Sequence, residues 1–292
     1  MKLGFLESKD DGLANTIDVI TATPDVSIHD VLQKMQLNFI KRVVIDVEKK
    51  PVGIVTERDI NKFLENDKTA RALEEIPIKH VMKTNLITIT GGSNDHLNQA
   101  ATRMDTFKIG SVIIVDSDGN LAGIITKTDI TKVYGVICGG KFQVKDYMTK
   151  KVFTCRKSDS LRFALNMINQ NDISRLVVTD NNGKPLGVIT TNTFLIHSSY
   201  FTKNKTKTRD YLFPVDSEKM CVGDLVSKEL LTVNLEDDLS IAAQKMIKNQ
   251  ISGIPVVDDK NKLVGLISNV DVVHAFVNVE STDHLLEYSK FY

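Results

Sequence analysis

An excess of charge of either sign is absent from this chain of 292 residues: Lys+Arg and Asp+Glu each number 37, and the net charge is zero. A nucleic-acid binder usually carries a large basic excess, so that class is disfavoured, a local basic patch aside. Cysteine is scarce. Cys138, Cys155 and Cys221 lie far apart, which fits a reducing compartment better than a disulfide framework. None stands at metal-ligand spacing with a histidine. His29, His80, His96, His197, His274 and His284 are scattered, as surface or half-buried residues are. No run of 18 apolar residues could span a bilayer, and residues 1–12 lack the apolar stretch of a secretory signal, so a cytoplasmic protein is expected. There is no Cys/His pair, no metal cluster, no glycine-rich phosphate loop of the Walker type, and little support for a paired-carboxylate mechanism. Neither an enzyme nor a catalytic cofactor nor a metal is expected.

What is present is a phrase repeated four times: "VGIVTERDI" at Val52–Ile60, "AGIITKTDI" at Ala122–Ile130, "LGVITTNTF" at Leu186–Phe194 and "VGLISNVDV" at Val264–Val272. The glycines Gly53, Gly123, Gly187 and Gly265 are spaced by 70, 64 and 78 residues, too irregularly for a solenoid. Within each unit the spacing is strict. Upstream lies an amphipathic helix whose apolar face is Ile28/Val31/Leu32/Met35, Leu97/Ala100/Ala101/Met104, Leu161/Ala164/Leu165/Ile168 and Leu239/Ala242/Ala243/Met246 in the four units. Each set follows the 0, 3, 4, 7 pattern of one buried helix face.

Fourteen residues after the first apolar position of each helix comes a fixed point: Arg42, Ser111, Arg175 and Gly253. Short runs rich in β-branched residues follow it, then turn residues, then a second such run beginning at the glycine, which is a β-hairpin signature. The first unit is one residue shorter here, and the helix-side match places the deletion in the hairpin turn. A further short strand precedes each first helix. A second helix follows each phrase. Each unit therefore reads strand–helix–strand–strand–helix, over residues 14–67, 80–135, 145–200 and 221–279, and the chain is expected to be α/β.

This order of elements, the run "VKDYMTKKVFTC", the stretch "ISGIPVVDDKNKLVGLISNVD" and the fourfold Gly-x-x-Thr/Ser-x-x-Asp phrase resemble the cystathionine-β-synthase (CBS) domain family. The resemblance covers almost the whole chain. It implies four βαββα motifs paired into two Bateman modules that stack as a disc. The first module would be residues 1–139 and the second 140–292, with a basic linker at 202–210. Four motifs in one chain are similar to the gamma subunit of AMP-activated protein kinase and its stand-alone prokaryotic relatives. The resemblance implies a regulatory, energy-sensing protein that binds AMP, ADP or ATP in clefts between paired motifs, with S-adenosylmethionine ranked behind them. The regulated protein partner is unnamed by the sequence, a homodimer is admissible, and no membrane partner is expected. The competing readings are a structural scaffold with vestigial clefts and a nucleic-acid binder working through the linker.

Two readings of the phrase stay open. Thr56-x-x-Asp59, Thr126-x-x-Asp129 and Ser268-x-x-Asp271 fit a helix N-terminal capping box, which structure alone would retain. The same corner also presents a hydroxyl and backbone N–H groups to a phosphate, and a carboxylate that can accept both hydroxyls of a ribose. The glycine lets a backbone or ligand come close to the strand. Carried over from the resemblance, Asp59, Asp129 and Asp271 hold ribose, and Thr56, Thr126 and Ser268 are the phosphate-side hydroxyls. The third unit has Thr190 but carries Thr193 where the acid belongs, so its cleft is expected to be empty, weak or altered in preference. Arg42 and Arg175 either sit exposed at strand starts or supply phosphate charge. Residues 202–210 read as a solvated linker, a flap over phosphates or a contact for an anionic partner.

Overall fold

The computed structural model describes residues 19–67, 69, 71–91, 95–196, 220–226 and 229–288. The basic segment 202–210 lies outside the described residues. The first motif runs β1 (Thr21–Ala22), α1 (Ile28–Leu37), β2 (Arg42–Val47), β3 (Lys50–Thr56) and α2 (Glu57–Asn66). Two 3-10 turns, Leu73–Glu75 and Ile78–His80, lead on to the second motif: β4 (Thr88–Thr90), α3 (His96–Thr106), β5 (Ser111–Val115), β6 (Leu121–Thr126) and α4 (Lys127–Ile137). The third is α5 (Val144–Tyr147), β7 (Thr154–Cys155), α6 (Leu161–Gln170), β8 (Arg175–Thr179), β9 (Pro185–Thr190) and α7 (Thr191–Ile196). The fourth is α8 (Val222–Leu225), β10 (Val233–Asn234), α9 (Leu239–Lys248), β11 (Gly253–Val257), β12 (Leu263–Ser268) and α10 (Asn269–Tyr288).

Each motif closes its own three-stranded sheet, in order β1-β2-β3, β4-β5-β6, β7-β8-β9 and β10-β11-β12. In each sheet the first pair is parallel and the second antiparallel. A parallel neighbour needs a crossover, and the first helix supplies it; a hairpin then adds the last strand. The hairpin of the first motif turns on Glu48 and Lys49, both at positive φ. Two such residues make the tight two-residue turn that suits twisted strands. The other hairpins are longer by one residue and place Gly119, Gly183 and Asn261 at positive φ. The deletion expected in the first hairpin is therefore in its turn.

The chain forms two compact units. One contains Ile20–Leu86 and Val152–Leu230, the first and third motifs without α5 but with α8, the lead segment of the fourth. The other contains Ile87–Lys151 and Leu231–Tyr292, the second and fourth motifs with α5, the lead segment of the third, and without α8. The grouping by sequence order, 1–139 with 140–292, is a different pairing of the same motifs. The core of the first-and-third unit is built from the expected faces Ile28/Val31/Leu32/Met35 and Leu161/Ala164/Leu165/Ile168. In the second-and-fourth unit, Ala100, Ala101, Met104 and Leu239, Ala242, Ala243, Met246 are buried. Leu97 is only half-buried there. His96 occupies the interior instead, 3% exposed, with Nε2 at 3.0 Å from the carbonyl oxygen of Thr90. This histidine is thus a core residue, not the surface or half-buried group expected.

Short segments ahead of the motifs do not stay with the sheet that follows them in sequence. Lys83, ahead of the second motif, exchanges two backbone hydrogen bonds of 2.9 Å with Ile54 on β3 of the first. Thr149, ahead of the third, pairs in the same way with Leu266 on β12 of the fourth, at 2.9 and 3.0 Å. Each docking places a side chain on the glycine of the repeated phrase. Met82 lies over Gly53, Met148 over Gly265, and Val226, ahead of the fourth motif, over Gly187. A Cβ on Gly53 would meet Met82 Sδ at 2.6 Å. At these three positions the close approach that requires glycine is made by a side chain of the protein itself.

Candidate functional site

The four corners are built alike. The fixed point pairs directly across the antiparallel ladder from the corner hydroxyl: Arg42 with Thr56, Ser111 with Thr126, Arg175 with Thr190 and Gly253 with Ser268. The first residue of the following helix donates its N–H back to the strand. Glu57 donates to the Lys41 carbonyl at 3.1 Å, Lys127 to Gly110 at 3.2 Å, Thr191 to Ser174 at 3.4 Å and Asn269 to Ser252 at 3.2 Å. One first-turn amide at each corner is thereby satisfied inside the protein and is not offered to a ligand.

The capping box is formed. At the first corner, the Thr56 hydroxyl donates to Asp59 Oδ2 at 2.5 Å and the Thr56 N–H donates to the same oxygen at 3.0 Å. The Asp59 N–H donates back to Thr56 Oγ1 at 3.2 Å. At the second corner the same three contacts are 2.7, 2.8 and 3.4 Å, on Asp129 Oδ2 and Thr126 Oγ1. At the fourth, Ser268 Oγ and N donate to Asp271 Oδ2 at 2.7 and 2.8 Å. The hydroxyl proton at these three corners is therefore directed at the carboxylate. Thr56, Thr126 or Ser268 would have to re-aim that proton to donate to a phosphate.

The third corner shows what the box needs. Thr190 N donates to Thr193 Oγ1 at 3.1 Å, the two hydroxyls lie 3.2 Å apart, and Thr193 N donates to Thr190 Oγ1 at 3.3 Å. One neutral oxygen closes the box. What an aspartate adds is a second oxygen and a charge. At the second corner that oxygen, Asp129 Oδ1, has no partner among the described residues. At the first, Asp59 Oδ1 is held by the Lys83 ammonium at 2.8 Å.

Arg42 and Arg175 are half-buried and belong to the same compact unit. Near Arg42 stand two residues that sequence reasoning missed, Lys41 and Glu57, and Lys41 also feels the charge of Arg175. Burial pushes the Glu57 carboxyl up to about 6, against the opposing pull of Lys41 and Arg42. The ammonium of Lys41 is held below the ordinary lysine value by the protein packed around it and by the charges of Arg175 and Arg42, although Glu57 pulls the other way. The second-and-fourth unit has Ser111 and Gly253 at the equivalent positions, with Gly110 and Ser252 before them and Lys127 and Asn269 in the place of Glu57 and Thr191. Lys83 was also missed. Nothing in its local pattern says that it will be laid on the sheet of the preceding motif. Among the described residues, no group of three or more His, Cys, Asp or Glu is placed to hold a metal, and no helix is long and apolar enough to cross a membrane.

The CBS-domain model matches residues 13–66, 78–135, 144–199 and 222–278, which are the four repeats. The chain belongs to the CBS-domain family. It is 24% identical to the uncharacterized protein MJ1225 of Methanocaldococcus jannaschii over 278 residues, 90% of this chain and 97% of that one. The crystal structure of MJ1225, a proposed archaeal homologue of g-AMPK, superposes with a TM-score of 0.74 over 89% of this chain and 96% of that one. An uncharacterized conserved protein from Pyrococcus horikoshii has the same fold, with a TM-score of 0.63 and 20% identity over 90% of this chain and 97% of that one. The uncharacterized protein MJ1404 of M. jannaschii is 27% identical over 263 residues, 88% of this chain; the chain spans 59% of that relative's length.

Proposed function

We propose that this CBS-domain chain is a regulatory ligand sensor that takes adenine nucleotides at its strand–helix corners, with no catalytic step of its own. The observation that carries the reading is the division of labour within each acid. Oδ2 serves the capping box, which the third corner closes equally with Thr193. The fold therefore does not need aspartate at this position, and Asp129 Oδ1 stands ready to accept the two hydroxyls of a ribose. Arg42 and Arg175, with Lys41, supply positive charge suited to phosphates. The proposed kinship of MJ1225 with g-AMPK supports AMP, ADP or ATP as ligands. The seating of the second motif's lead segment on the first, and the exchange of lead segments between the third and fourth, support Bateman modules at 1–139 and 140–292. Binding transmits a signal to a partner protein only through states that bind the nucleotide unequally.

The self-contained boxes favour the scaffold as a second reading, and one substitution separates the two. Asp129→Thr copies the third corner: it keeps one capping oxygen and removes the second oxygen and the charge. We expect stability within ~0.5 kcal/mol of wild type, whereas Asp129→Ala loses the cap and about 1 kcal/mol. Isothermal titration should show AMP affinity at that corner falling at least ~10-fold in Asp129→Thr, the loss of hydrogen bonds to a charged group. Titrations with ADP, ATP and S-adenosylmethionine rank the ligands. Unchanged nucleotide affinity in the Thr variants of Asp59, Asp129 and Asp271 together would leave the scaffold reading standing.

A further inference from the structure

The ion pair between Lys83 and Asp59 sets the first corner apart. Asp59 Oδ2 already accepts two hydrogen bonds from Thr56, so any ligand contact falls to Oδ1. A carboxylate oxygen offers about two acceptor positions. Lys83 fills one of them at 2.8 Å. The Asp59 side chain is 12% exposed and that of Lys83 68%, so the ammonium can swing into water without unfolding anything. Its backbone cannot swing in the same way. It is tied to Ile54 by two bonds of 2.9 Å, and its neighbour Met82 is packed over Gly53. The fourth motif shows that this docking does not require a lysine, because Thr149 makes the same ladder to Leu266 with Met148 over Gly265. The cation is thus an addition to the structural role of the segment.

Resting on the nucleotide reading above, we propose that Lys83 is a displaceable counter-ion that occupies one of the two acceptor positions a ribose diol needs, so that the first corner selects less strictly for a 2′,3′-diol than the second. A nucleotide with both hydroxyls must push the ammonium aside to use Oδ1 fully. A 2′-deoxynucleotide needs one position and leaves Lys83 in place. At Asp129, where Oδ1 has no partner among the described residues, the diol meets no such competitor. Displacement would also loosen the lysine from the corner while its backbone stays on β3, which ties occupancy of the first motif to the segment that opens the second.

The test uses the full chain carrying Asp129→Thr and Asp271→Thr, so that Asp59 is the remaining corner acid. The readout is the ratio of dissociation constants, 2′-deoxy-AMP over AMP, with Lys83 present and in Lys83→Met. The attraction of Lys83 for phosphate is common to both ligands and cancels in the ratio. We expect the ratio to rise about two- to fivefold in Lys83→Met, the size suited to an ion pair with an exposed cation. A ratio that stays the same or falls, with AMP still bound, overturns the counter-ion role and leaves the nucleotide reading intact. Failure of wild type to bind any of AMP, ADP or ATP overturns both. Should the double background not fold, the same ratio is read in Lys83→Met alone from the methyl resonance of Met82, which sits beside this corner.

Discussion

Substituting Gly53 by alanine tests whether the repeated glycine is kept for a ligand or for Met82. A methyl group there would stand 2.6 Å from Met82 Sδ, 3.0 Å from its Cγ and 3.3 Å from its Cβ. Carbon and sulfur atoms in ordinary contact lie at about 3.5–4.0 Å, so the new methyl overlaps at three points, not one. The sulfur alone could rotate away. Cβ cannot, because the adjacent Lys83 is held to Ile54 by two backbone bonds of 2.9 Å. Relief must therefore combine rotation of the thioether with a shift of the lead segment by a few tenths of an ångström. Overpacking of this kind costs about 1–3 kcal/mol. Gly53 does not adopt a positive φ, so alanine also reduces the freedom of the unfolded chain and returns ~0.4–1 kcal/mol. The expected net loss is about 1–2 kcal/mol in urea unfolding followed by far-ultraviolet circular dichroism. In a Met82→Ala background the clash has no partner, and Gly53→Ala should become neutral or stabilising, a coupling of at least ~1 kcal/mol. An equal cost for Gly53→Ala in both backgrounds would refute the reasoning and return the glycine to the ligand.

Glu57 gives a pH-dependent outcome. Its carboxyl ionises at about 6 in the fold against an ordinary value of 4.5, so the folded state prefers it protonated. Stability from this group is present below about pH 4.5 and lost as the pH rises through about 6, on the order of 2 kcal/mol in all. Glu57→Gln should flatten the stability profile across that window and leave the chain more stable than wild type at pH 7; a parallel profile would show that the carboxylate is well solvated. In the other compact unit, α4 passes close to α9 at Gly135, where a Cβ would lie 3.2 Å from Gln244 Cγ and 3.3 Å from its backbone nitrogen. Gly135→Leu is expected to cost ~1–3 kcal/mol in thermal unfolding and to break the hydrogen bond from Gln244 Nε2 to the Gly135 carbonyl.

The two compact units place different chemistry at equivalent positions. In the first-and-third unit, the residues opposite the corner hydroxyls are Arg42 and Arg175, and Lys41 and Glu57 stand beside them. In the second-and-fourth unit, those residues are Ser111 and Gly253. Within the second-and-fourth unit, His274 Nδ1 of the fourth motif lies 3.0 Å from Asp105 Oδ2 of the second, and Asn278 Nδ2 donates at 2.9 Å to the hydroxyl of Tyr147 on the lead segment α5. One repeated fold thus sets arginines opposite the corner hydroxyls of one unit and uncharged residues opposite those of the other.

The sequence by itself determined the parts that depend on neighbours along the chain. Helix faces follow a 3.6-residue period, hairpins follow their turn residues, and both are settled by local sterics and burial. For that reason Ile28/Val31/Leu32/Met35, the hairpin after Arg42 and the corner Thr56–Asp59 were legible, and so was the exception at Thr193. The fixed point fourteen residues on was legible as well, but its place opposite each corner hydroxyl came from the register of the sheets. Tertiary structure decided everything that joins one repeat to another. Four nearly equivalent motifs offer several pairings with the same apolar patterns, and the choice is made by how whole faces fit. Hence the compact units of first with third and second with fourth, the seating of Met82 on Gly53, and the ion pair of Lys83 with Asp59 were not visible in the pattern. The half-burial of Arg42 and the raised carboxyl of Glu57 belong to the same class, because desolvation is a property of what packs around a charge and not of the residues beside it in the chain.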